Sequence, residues 1–246
     1  MVNRIGWLQE PPTKYKTENY CVAYLDILGG VQKIKDDIDS KFLNYLIMLY
    51  SDVYTEAEGI FNLNKEISVK IFSDNILLAI KINTDDPQRI QKIEKLLNVV
   101  SNIFNEALRY GVLMRGAVTE GELFINDTFV YGKALIDVVK MEEEIAIYPR
   151  IVIYNEISHL VPHHCKICED GIPILNHFIF ADTFEGASFK YRLLEMLKEN
   201  QNNHKIKQKI MWLINYFNDF NTEQKLQGYT EYYFIKQEEI NEMLKI

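Results

Sequence analysis

The chain has 246 residues, with 27 Lys and Arg against 35 Asp and Glu, and 48% of it is hydrophobic. This composition excludes intrinsically disordered chains, which are charged and poorly hydrophobic, and collagen-like chains, which are rich in Gly and Pro. The net charge of −8 argues against sequence-independent binding to nucleic acid or anionic membranes, because both require a dense field of Lys and Arg. We therefore expect a globular protein with no nucleic-acid or membrane partner.

The apolar runs are far shorter than the roughly 20 residues needed to span a bilayer. The N-terminal residues lack the apolar stretch of a secretory signal. The cysteines are Cys21, Cys165 and Cys168, which are too few and too unevenly spaced for a disulfide scaffold. These features predict a cytoplasmic protein with reduced thiols.

The first part of the chain predicts a strand, a helix and a hairpin. A polar arm, 1–19, precedes a nearly continuous apolar run, 21–28, which indicates a strand buried on both faces. Apolar residues at three- and four-residue steps then predict a core-facing helix within 31–60. Two apolar runs flank the turn residues Ser73-Asp74-Asn75, and this pattern predicts a hairpin over 68–82.

The next part repeats this alternation. The predicted elements are a helix over 86–111, a strand over 112–118, a turn containing Gly121, a strand over 123–125, a helix over 133–147 and a strand over 150–154. This order favours an α+β architecture, with an antiparallel-rich sheet and helices packed on one face. We take 20–155 as the core domain.

The remaining residues, 156–246, predict a largely helical elaboration that packs on the core. The stretch 160–176 contains Pro, Cys and His and is predicted to be an irregular insertion. A strand over 178–184, helices over 188–199 and 205–220, an aromatic segment over 229–235 and a short terminal helix follow. The aromatic segment lacks interleaved basic residues, so we expect it to pack on the core or on a partner subunit rather than stack on bases.

Two acids stand out in this pattern. Asp26 lies inside an apolar strand, where a lone carboxylate costs several kcal/mol unless it faces a cleft or has a partner. Asp74 lies at the tip of the hairpin, beside the end of the first strand if the two pair. Two carboxylates at a sheet edge form an oxygen-ligand site for Mg²⁺ or Mn²⁺, of the kind that serves phosphoryl transfer. Each acid alone also has a simpler interpretation, Asp74 as a turn residue and Asp26 as a helix cap.

The blocks around these acids resemble the catalytic domain of class III nucleotidyl cyclases, a ferredoxin-like, palm-type fold. The resemblance is carried by Tyr24-Leu-Asp-Ile-Leu-Gly29 and Lys70-Ile-Phe-Ser-Asp74. It implies that Asp26 and Asp74 bind two Mn²⁺ or Mg²⁺ ions, with the carbonyl of Ile27 as a further metal ligand. It also implies that the amides up to Gly29-Gly30 cradle phosphate oxygens, although such a pair as often only lets the chain turn.

Further blocks look like those of the pyrimidine cyclases of bacterial Pycsar anti-phage systems. They are Met114-Arg-Gly-Ala-Val-Thr-Glu-Gly-Glu122, Tyr131-Gly-Lys-Ala-Leu135 and the segment Glu142 to Arg150. The resemblance covers about residues 20–155. It implies that UTP or CTP is converted to cUMP or cCMP, which acts on a separate effector protein. Because class III sites form between two subunits, it also implies a homodimer.

Several positions depart from the purine cyclases. Lys70 matches a base-contacting lysine, but Phe129 stands where adenylyl cyclases carry an aspartate, which suggests a base held by stacking or by a smaller pocket. An aromatic residue in a hairpin is also ordinary core. The usual Asn and Arg that stabilise the transition state are replaced by Ile136 and Lys140. Lys140 and Arg115 are the candidate cations for the α-phosphate, and both can equally be exposed salt-bridge partners.

The segment His163-His-Cys-Lys-Ile-Cys168 has the residue types of a zinc site. A structural site needs four well-spaced ligands, and no second pair follows in the sequence. We therefore favour a reduced surface loop. The main alternative function is a non-catalytic cyclase-like module that binds a nucleotide or a partner, and a third is a cyclic-dinucleotide synthase on a related palm-type sheet.

Overall fold

The computed structural model describes residues 15–58, 66–180, 183–226 and 233–244. Its strands are β1 (Glu18–Ile27), β2 (Ile67–Phe72), β3 (Asn75–Lys81), β4 (Met114–Ile125), β5 (Val130–Tyr131), β6 (Ile151–Ile153), β7 (Cys165–Ile167) and β8 (Pro173–Leu175). Its helices are α1 (Gly30–Lys35), α2 (Lys41–Glu58), α3 (Arg89–Arg109), α4 (Lys133–Ile145), α5 (Asn155–Leu160), α6 (Thr183–Glu199), α7 (His204–Leu226) and α8 (Gln237–Leu244), with 3₁₀ turns at Pro162–His164 and His177–Phe180. Most of the predicted arm 1–19 lies outside the described residues.

The strands form one sheet in the order β2-β3-β1-β4-β6-β8-β7, and β5 pairs with β4 outside this path. The β4–β6 pair is parallel, and the other described pairs are antiparallel. This mostly antiparallel sheet with packed helices confirms the predicted α+β, class III cyclase-like fold. None of the described helices is both long and apolar enough to cross a membrane.

Helices cover both faces of the sheet, so the expectation of helices on one face was wrong. Helices α2 and α3 pack on one face with Ala23 and Leu25 of β1. Helix α4 packs on the other face with Val22, Ala79 and Ala117. Successive residues of a strand point to opposite faces, which explains why the continuous apolar run of β1 is buried on both sides, as predicted. The same alternation places Asp26 on the face covered by α4.

The segment predicted as one helix within 31–60 forms two helices, α1 and α2. Asp37 separates them, because its carboxylate accepts hydrogen bonds from the N–H groups of Phe42 at 2.8 Å and Leu43 at 2.9 Å and so begins α2. Between them, Ser40 has a φ of 54°, which is outside the right-handed helical region.

Strand β4 is continuous where the sequence predicted two strands joined by a turn at Gly121. Gly121 lies within β4 opposite Tyr20 of β1. A Cβ atom added to Gly121 would lie 3.4 Å from the Cβ of Ala134 at the start of α4. The glycine therefore serves close packing of α4 on the strand rather than a turn.

The stretch 160–176 is more regular than predicted. It contains the last residue of α5, a 3₁₀ turn and the strands β7 and β8, which extend the sheet beyond β6. The predicted strand 178–184 was also wrong over its described part, because His177–Phe180 is a 3₁₀ turn with Phe178 fully buried. Helices α6, α7 and α8 confirm the predicted helices, and α6 packs on α3.

Candidate active site

The two acids lie next to each other on neighbouring strands. Asp26 is near the end of β1, where it is paired with Asn75 of β3. Asp74 directly precedes Asn75, in the two-residue turn between β2 and β3. The N–H of Ile27 donates a hydrogen bond of 3.2 Å to the carbonyl of Asp74. The predicted pairing of the hairpin with β1 therefore brings the two carboxylates to one edge of the sheet.

Gly30 allows Asp74 to occupy this position. The side chain of Asp74 is 6% exposed, and a Cβ atom on Gly30 would lie 2.1 Å from its Oδ2. No other side chain fits at the first residue of α1 without moving the carboxylate. Gly29 has a φ of 77°, which other L residues rarely adopt. The Gly29-Gly30 pair thus turns the chain and makes space for Asp74.

Arg115 lies between Asp26 and a third acid, Glu142. It stands opposite Asp26 on β4. Its Nε is 3.0 Å from Oδ2 of Asp26 and 2.6 Å from Oε1 of Glu142, whose side chain is 3% exposed. The guanidinium therefore joins the end of β1 to helix α4, and the predicted exposed salt bridge of Arg115 is a largely buried one.

Burial and neighbouring negative charges raise the pKa values of Asp26 and Glu142. Burial is the largest cause that raises the pKa of Asp26; Arg115 opposes it and the charge of Asp74 adds to it. Burial raises the pKa of Glu142 from 4.5 to about 7, against the attraction of Arg115. The effect of Asp74 on Asp26 shows that the two carboxylates are electrostatically coupled, which is the condition that a bound cation relieves.

Two tyrosines surround the acids. The hydroxyl of Tyr24 donates a hydrogen bond of 2.8 Å to Oδ1 of Asn75. The hydroxyl of Tyr50 on α2 donates to the carbonyl of Ser73, the residue before Asp74. Burial raises the pKa of each tyrosine to about 12, and the charge of Asp74 contributes to both shifts. Both hydroxyls therefore stay protonated and hold the hairpin turn in place as donors.

Lys70 lies apart from these acids in the same chain. It is partly buried on β2 opposite Leu77, and it lines a cleft of about 440 Å³ with Tyr54 and Asp127. Asn126 also lines this cleft, but its Oδ1 accepts the N–H groups of Thr128 and Phe129. Lys70 and Asp127 are the charged side chains among the residues that line this cleft.

Phe129 is 52% exposed and packs on Phe124 with ring centroids 5.3 Å apart. It is therefore not ordinary core, and one face of its ring remains available. Phe124 lies nine residues along β4 from Arg115, which corresponds to about 30 Å at roughly 3.4 Å per residue. A substrate held at Asp26 cannot reach Phe129 of the same chain.

Lys140 also points away from Asp26. It is exposed and lines a separate cleft of about 840 Å³ between α4 and the strands β6 and β8, together with Lys133, Asp137 and Glu144. Ile136, one turn earlier on α4, is 68% exposed. Within one chain, Glu142 is the residue of α4 that reaches the acids, and Lys140 is not.

Two site residues were missed from the sequence. Glu142 could have been found, because it follows the buried Ala134 and Val138 at four-residue steps and so places an acid on the core stripe of α4. Lys209 of α7 gave no such signal. Its charge lowers the pKa of Asp26, while burial lowers the pKa of Lys209 itself. Helix α7 therefore brings a cation near the acids from the C-terminal elaboration.

The donor set at this edge suits a divalent cation. Carboxylate oxygens from Asp26 and Asp74 converge there, and Mg²⁺ and Mn²⁺ prefer oxygen ligands. The ion pair of Asp26 with Arg115 occupies one of these oxygens, so a cation competes with the guanidinium for Oδ2. The carbonyl of Ile27, next to the hydrogen bond between the two segments, can complete the set.

The histidines and cysteines of the segment 163–168 lie apart from Asp26 and Asp74. Cys165 belongs to β7, and burial raises its pKa to about 11. Burial also raises the pKa of Cys168, although Arg150 opposes this effect. His164 is buried, so the segment is not the surface loop that the sequence favoured. The thiols pack against the core.

No protein-family model matches the chain. No curated protein matches its sequence. Its fold is similar to the monomeric guanylyl cyclase domain of the RhoGC fusion protein from the aquatic fungus Blastocladiella emersonii, with a TM-score of 0.52 and 14% identity over 66% of this chain and 96% of that chain.

Two other solved structures are similar in outline. The guanylate cyclase domain of RhGC from Catenaria anguillulae in complex with GTP has a TM-score of 0.49 and 13% identity, over 65% of this chain and 95% of that chain. A class III adenylyl cyclase-like ATP-binding protein from Pseudomonas aeruginosa has a TM-score of 0.46 and 12% identity, over 63% of this chain and 38% of that chain. The similarity to the Blastocladiella emersonii domain, with its TM-score of 0.52, shows that the chain has the fold of a cyclase catalytic domain.

Proposed function

We propose that this protein is a metal-dependent nucleotidyl cyclase that converts UTP or CTP to cUMP or cCMP and pyrophosphate. The observation that carries this proposal is the placement of Asp26 and Asp74 side by side at one edge of a class III cyclase-like sheet. The resemblance to class III nucleotidyl cyclases assigns metal binding to these two acids.

The reaction is an attack of the ribose 3′-oxygen on the α-phosphorus. A new P–O bond forms, the bond from the α-phosphorus to the bridging oxygen breaks, and pyrophosphate leaves with that oxygen. Two divalent ions, when bound, lower the proton affinity of the 3′-hydroxyl and offset the charge of the triphosphate. Asp26 and Asp74 hold these ions, with the carbonyl of Ile27 as a further ligand.

The chain's own cations also act on the phosphates. Arg115, once a divalent ion takes its place at Asp26, remains beside the site with its charge free to face the α-phosphate. Glu142 keeps the guanidinium near the acids because it is the second partner of Arg115. Gly29, whose Cβ position meets no atom within 4 Å, leaves the backbone open for phosphate oxygens next to Gly30, against which the carboxylate of Asp74 packs.

The substrate base is assigned to the cleft around Lys70. A lysine donates to a pyrimidine carbonyl, and Asp127 can accept from an amino group. The exposed face of Phe129 offers a surface on which a base stacks. Position 129 is a phenylalanine, not the aspartate that pairs with adenine in adenylyl cyclases. This difference supports a pyrimidine base over adenine.

The site is proposed to be completed by a second copy of the chain. Phe129 and Lys140 are both directed away from Asp26 in one chain, so they can act only if a partner supplies them. A homodimer with sites between its subunits meets this need. By its resemblance to Pycsar cyclases, we further assign the protein to anti-phage signalling in the cytoplasm, with a separate effector that responds to the cyclic product.

Replacing either acid tests the metal assignment. Asp26→Asn and Asp74→Asn should each lower the rate of pyrophosphate release from UTP or CTP with Mn²⁺ by roughly 100-fold or more, since each change removes a metal-binding charge. Asp39→Asn, an exposed acid in the α1–α2 turn, is the matched control and should retain the wild-type rate. Full activity in either site variant would disprove the assignment.

One observation favours a second candidate, a non-catalytic cyclase-like module. The position of the usual transition-state asparagine is occupied by Ile136, which is 68% exposed. Such a module would show a Mn²⁺-dependent rise in melting temperature with a non-hydrolysable UTP analogue and no product from UTP or CTP. A cyclase shows both the thermal shift and the product.

A further inference from the structure

A second group of metal-ligating side chains lies on the α3 side of the molecule. Glu94 is on α3, and His163 and His164 are consecutive residues of the 3₁₀ turn Pro162–His164. Each offers one ligand atom, and these atoms all lie within 4.8 Å of one another. We propose that Glu94, His163 and His164 form a Zn²⁺ site that fastens the C-terminal extension to helix α3.

The spacing of these atoms is close to what a zinc ion requires. With Zn–N and Zn–O distances of about 2.0–2.1 Å, ligand atoms at the corners of a tetrahedron are about 3.3–3.4 Å apart. Nε2 of His163 is 3.0 Å from Oε1 of Glu94. The His163 and Glu94 atoms are therefore already near tetrahedral spacing, and the atom of His164 lies within 4.8 Å of both. A water molecule would take the fourth position, as in open zinc sites with three protein ligands.

The surroundings of His164 orient its ring for this role. His164 is 4% exposed, so packing restricts its side chain. Oδ1 of Asn98 lies 3.0 Å from its Nε2. Asn98 is one helical turn after Glu94 on α3, so a single helix face supplies both a ligand and a residue that positions another. An oxygen that holds the imidazole in this way is a regular feature of histidine metal sites.

The donor types and the location separate this site from the catalytic one. Two imidazoles and one carboxylate suit Zn²⁺, whereas the all-oxygen set of Asp26 and Asp74 suits Mg²⁺ or Mn²⁺. Glu94 is near the start of α3, where Arg89 pairs with Glu120 of β4. Asp26 lies on the other face of the sheet, the one covered by α4, beside Arg115. Zinc here would join two segments and take no part in the transfer of the phosphoryl group.

Zinc titration of the full chain tests this proposal. The Asp26→Ala/Asp74→Ala background removes the other carboxylate site, and chelator treatment removes bound metal. Calorimetric titration with ZnCl₂ should then show one saturable site per chain and a higher melting temperature with Zn²⁺. His163→Ala and Glu94→Gln, at partly exposed positions that tolerate truncation, should each weaken Zn²⁺ binding by roughly 10- to 100-fold or more.

His159→Ala is the matched control, because His159 is an exposed histidine on the neighbouring helix α5, outside the cluster. It should bind Zn²⁺ with the affinity of the background chain. Circular dichroism confirms that each variant is folded. Equal Zn²⁺ affinity in His163→Ala, Glu94→Gln and the background, or no saturable binding at all, would show that the cluster is only a His–Glu ion pair. Because the background has no catalytic acids, this result does not depend on cyclase activity.

Discussion

At the scale of single residues, the site consists of a cation held between acids. Arg115 contacts both Asp26 and Glu142, and Asp74 lies against Gly30. The two acids of the metal site could be predicted because an acid in an apolar strand needs a partner, and a hairpin tip supplies one. Glu142 was not predicted as a site residue, because the three consecutive acids 142–144 resemble a solvent-exposed helix face. Its four-residue spacing from Ala134 and Val138 is the feature that places it on the buried face.

Gly30→Ala tests the packing around Asp74. The new Cβ atom would meet Oδ2 of Asp74 at 2.1 Å, so the carboxylate must move. Because misplacement of about 1 Å can cost on the order of 100-fold in rate, we expect a loss of cyclase activity of that size. Gly121→Ala is the control, since its Cβ atom would make only an ordinary van der Waals contact, 3.4 Å from the Cβ of Ala134, and Gly121 lies six residues from Arg115 along β4. Steady-state rates of product formation make the comparison, and an unchanged rate in Gly30→Ala would refute it.

Glu142→Gln tests the burial of the third acid. Between pH 4.5 and about 7 the folded chain retains a proton on Glu142 that the unfolded chain has lost. The free energy of unfolding therefore falls by about 1.4 kcal/mol per pH unit in this window as the pH rises. A glutamine has no charge to bury, so the variant should be more stable than the wild type at mildly alkaline pH, by about 1–2 kcal/mol after allowance for the lost attraction to Arg115.

The measurement is urea unfolding of the metal-free protein across this pH range. The difference between Glu142→Gln and wild type should vanish below pH 4.5, where Glu142 is protonated in both states. Glu144→Gln, at an exposed position two residues later, serves as the control and should follow the wild-type curve. A variant less stable than wild type at alkaline pH would mean that the ion pair with Arg115 outweighs burial.

At the scale of elements, periodicity located the strands and helices that are long and buried. It identified β1, the β2–β3 hairpin, α3 and α4, whose apolar patterns extend over enough residues to be read. It located β6 within the predicted strand 150–154, but it failed for β7 and β8, because strands of three residues have no readable period. The break between α1 and α2 depends on the cap at Asp37, which a continuous stripe conceals.

Helix α2 carries apolar side chains that the described chain leaves exposed. Leu43, Ile47 and Met48 are 50%, 58% and 50% exposed, and Tyr54 is 44% exposed. An exposed apolar row of this kind is typical of a surface that a partner covers. It supports the proposed homodimer, and it gives that proposal a position to test.

Ile47→Glu should weaken the dimer, because a buried charge at a subunit interface costs several kcal/mol. Light scattering after size-exclusion chromatography should show a monomer, and activity should fall with it, since each site needs both subunits. Tyr191→Glu replaces a more exposed aromatic residue on α6, 70% exposed, and should leave both mass and activity unchanged. A monomeric Ile47→Glu protein with full activity would argue against shared sites.

At the scale of the whole molecule, the charge of −8 sets the electrostatic problem of the site. A triphosphate must enter a negative protein, so its charge has to be offset locally. In the proposed reaction, Asp26 and Asp74 would recruit divalent ions for this purpose, and Arg115 and Lys209 would add positive charge from β4 and α7. The overall composition excludes a broad basic surface, and at the site Arg115 and Lys209 stand among the acids Asp26, Asp74 and Glu142, so bound cations would have to supply most of the positive charge.

The most direct test of the central claim is to incubate the purified protein with each of the four nucleoside triphosphates and Mn²⁺ and to identify the products by mass. We expect a 3′,5′-cyclic monophosphate from UTP or CTP, released together with pyrophosphate, and none from the Asp26→Asn protein. A cyclic product from GTP or ATP alone would contradict the pyrimidine assignment. No cyclic product from any of the four would contradict the claim that this chain is a cyclase.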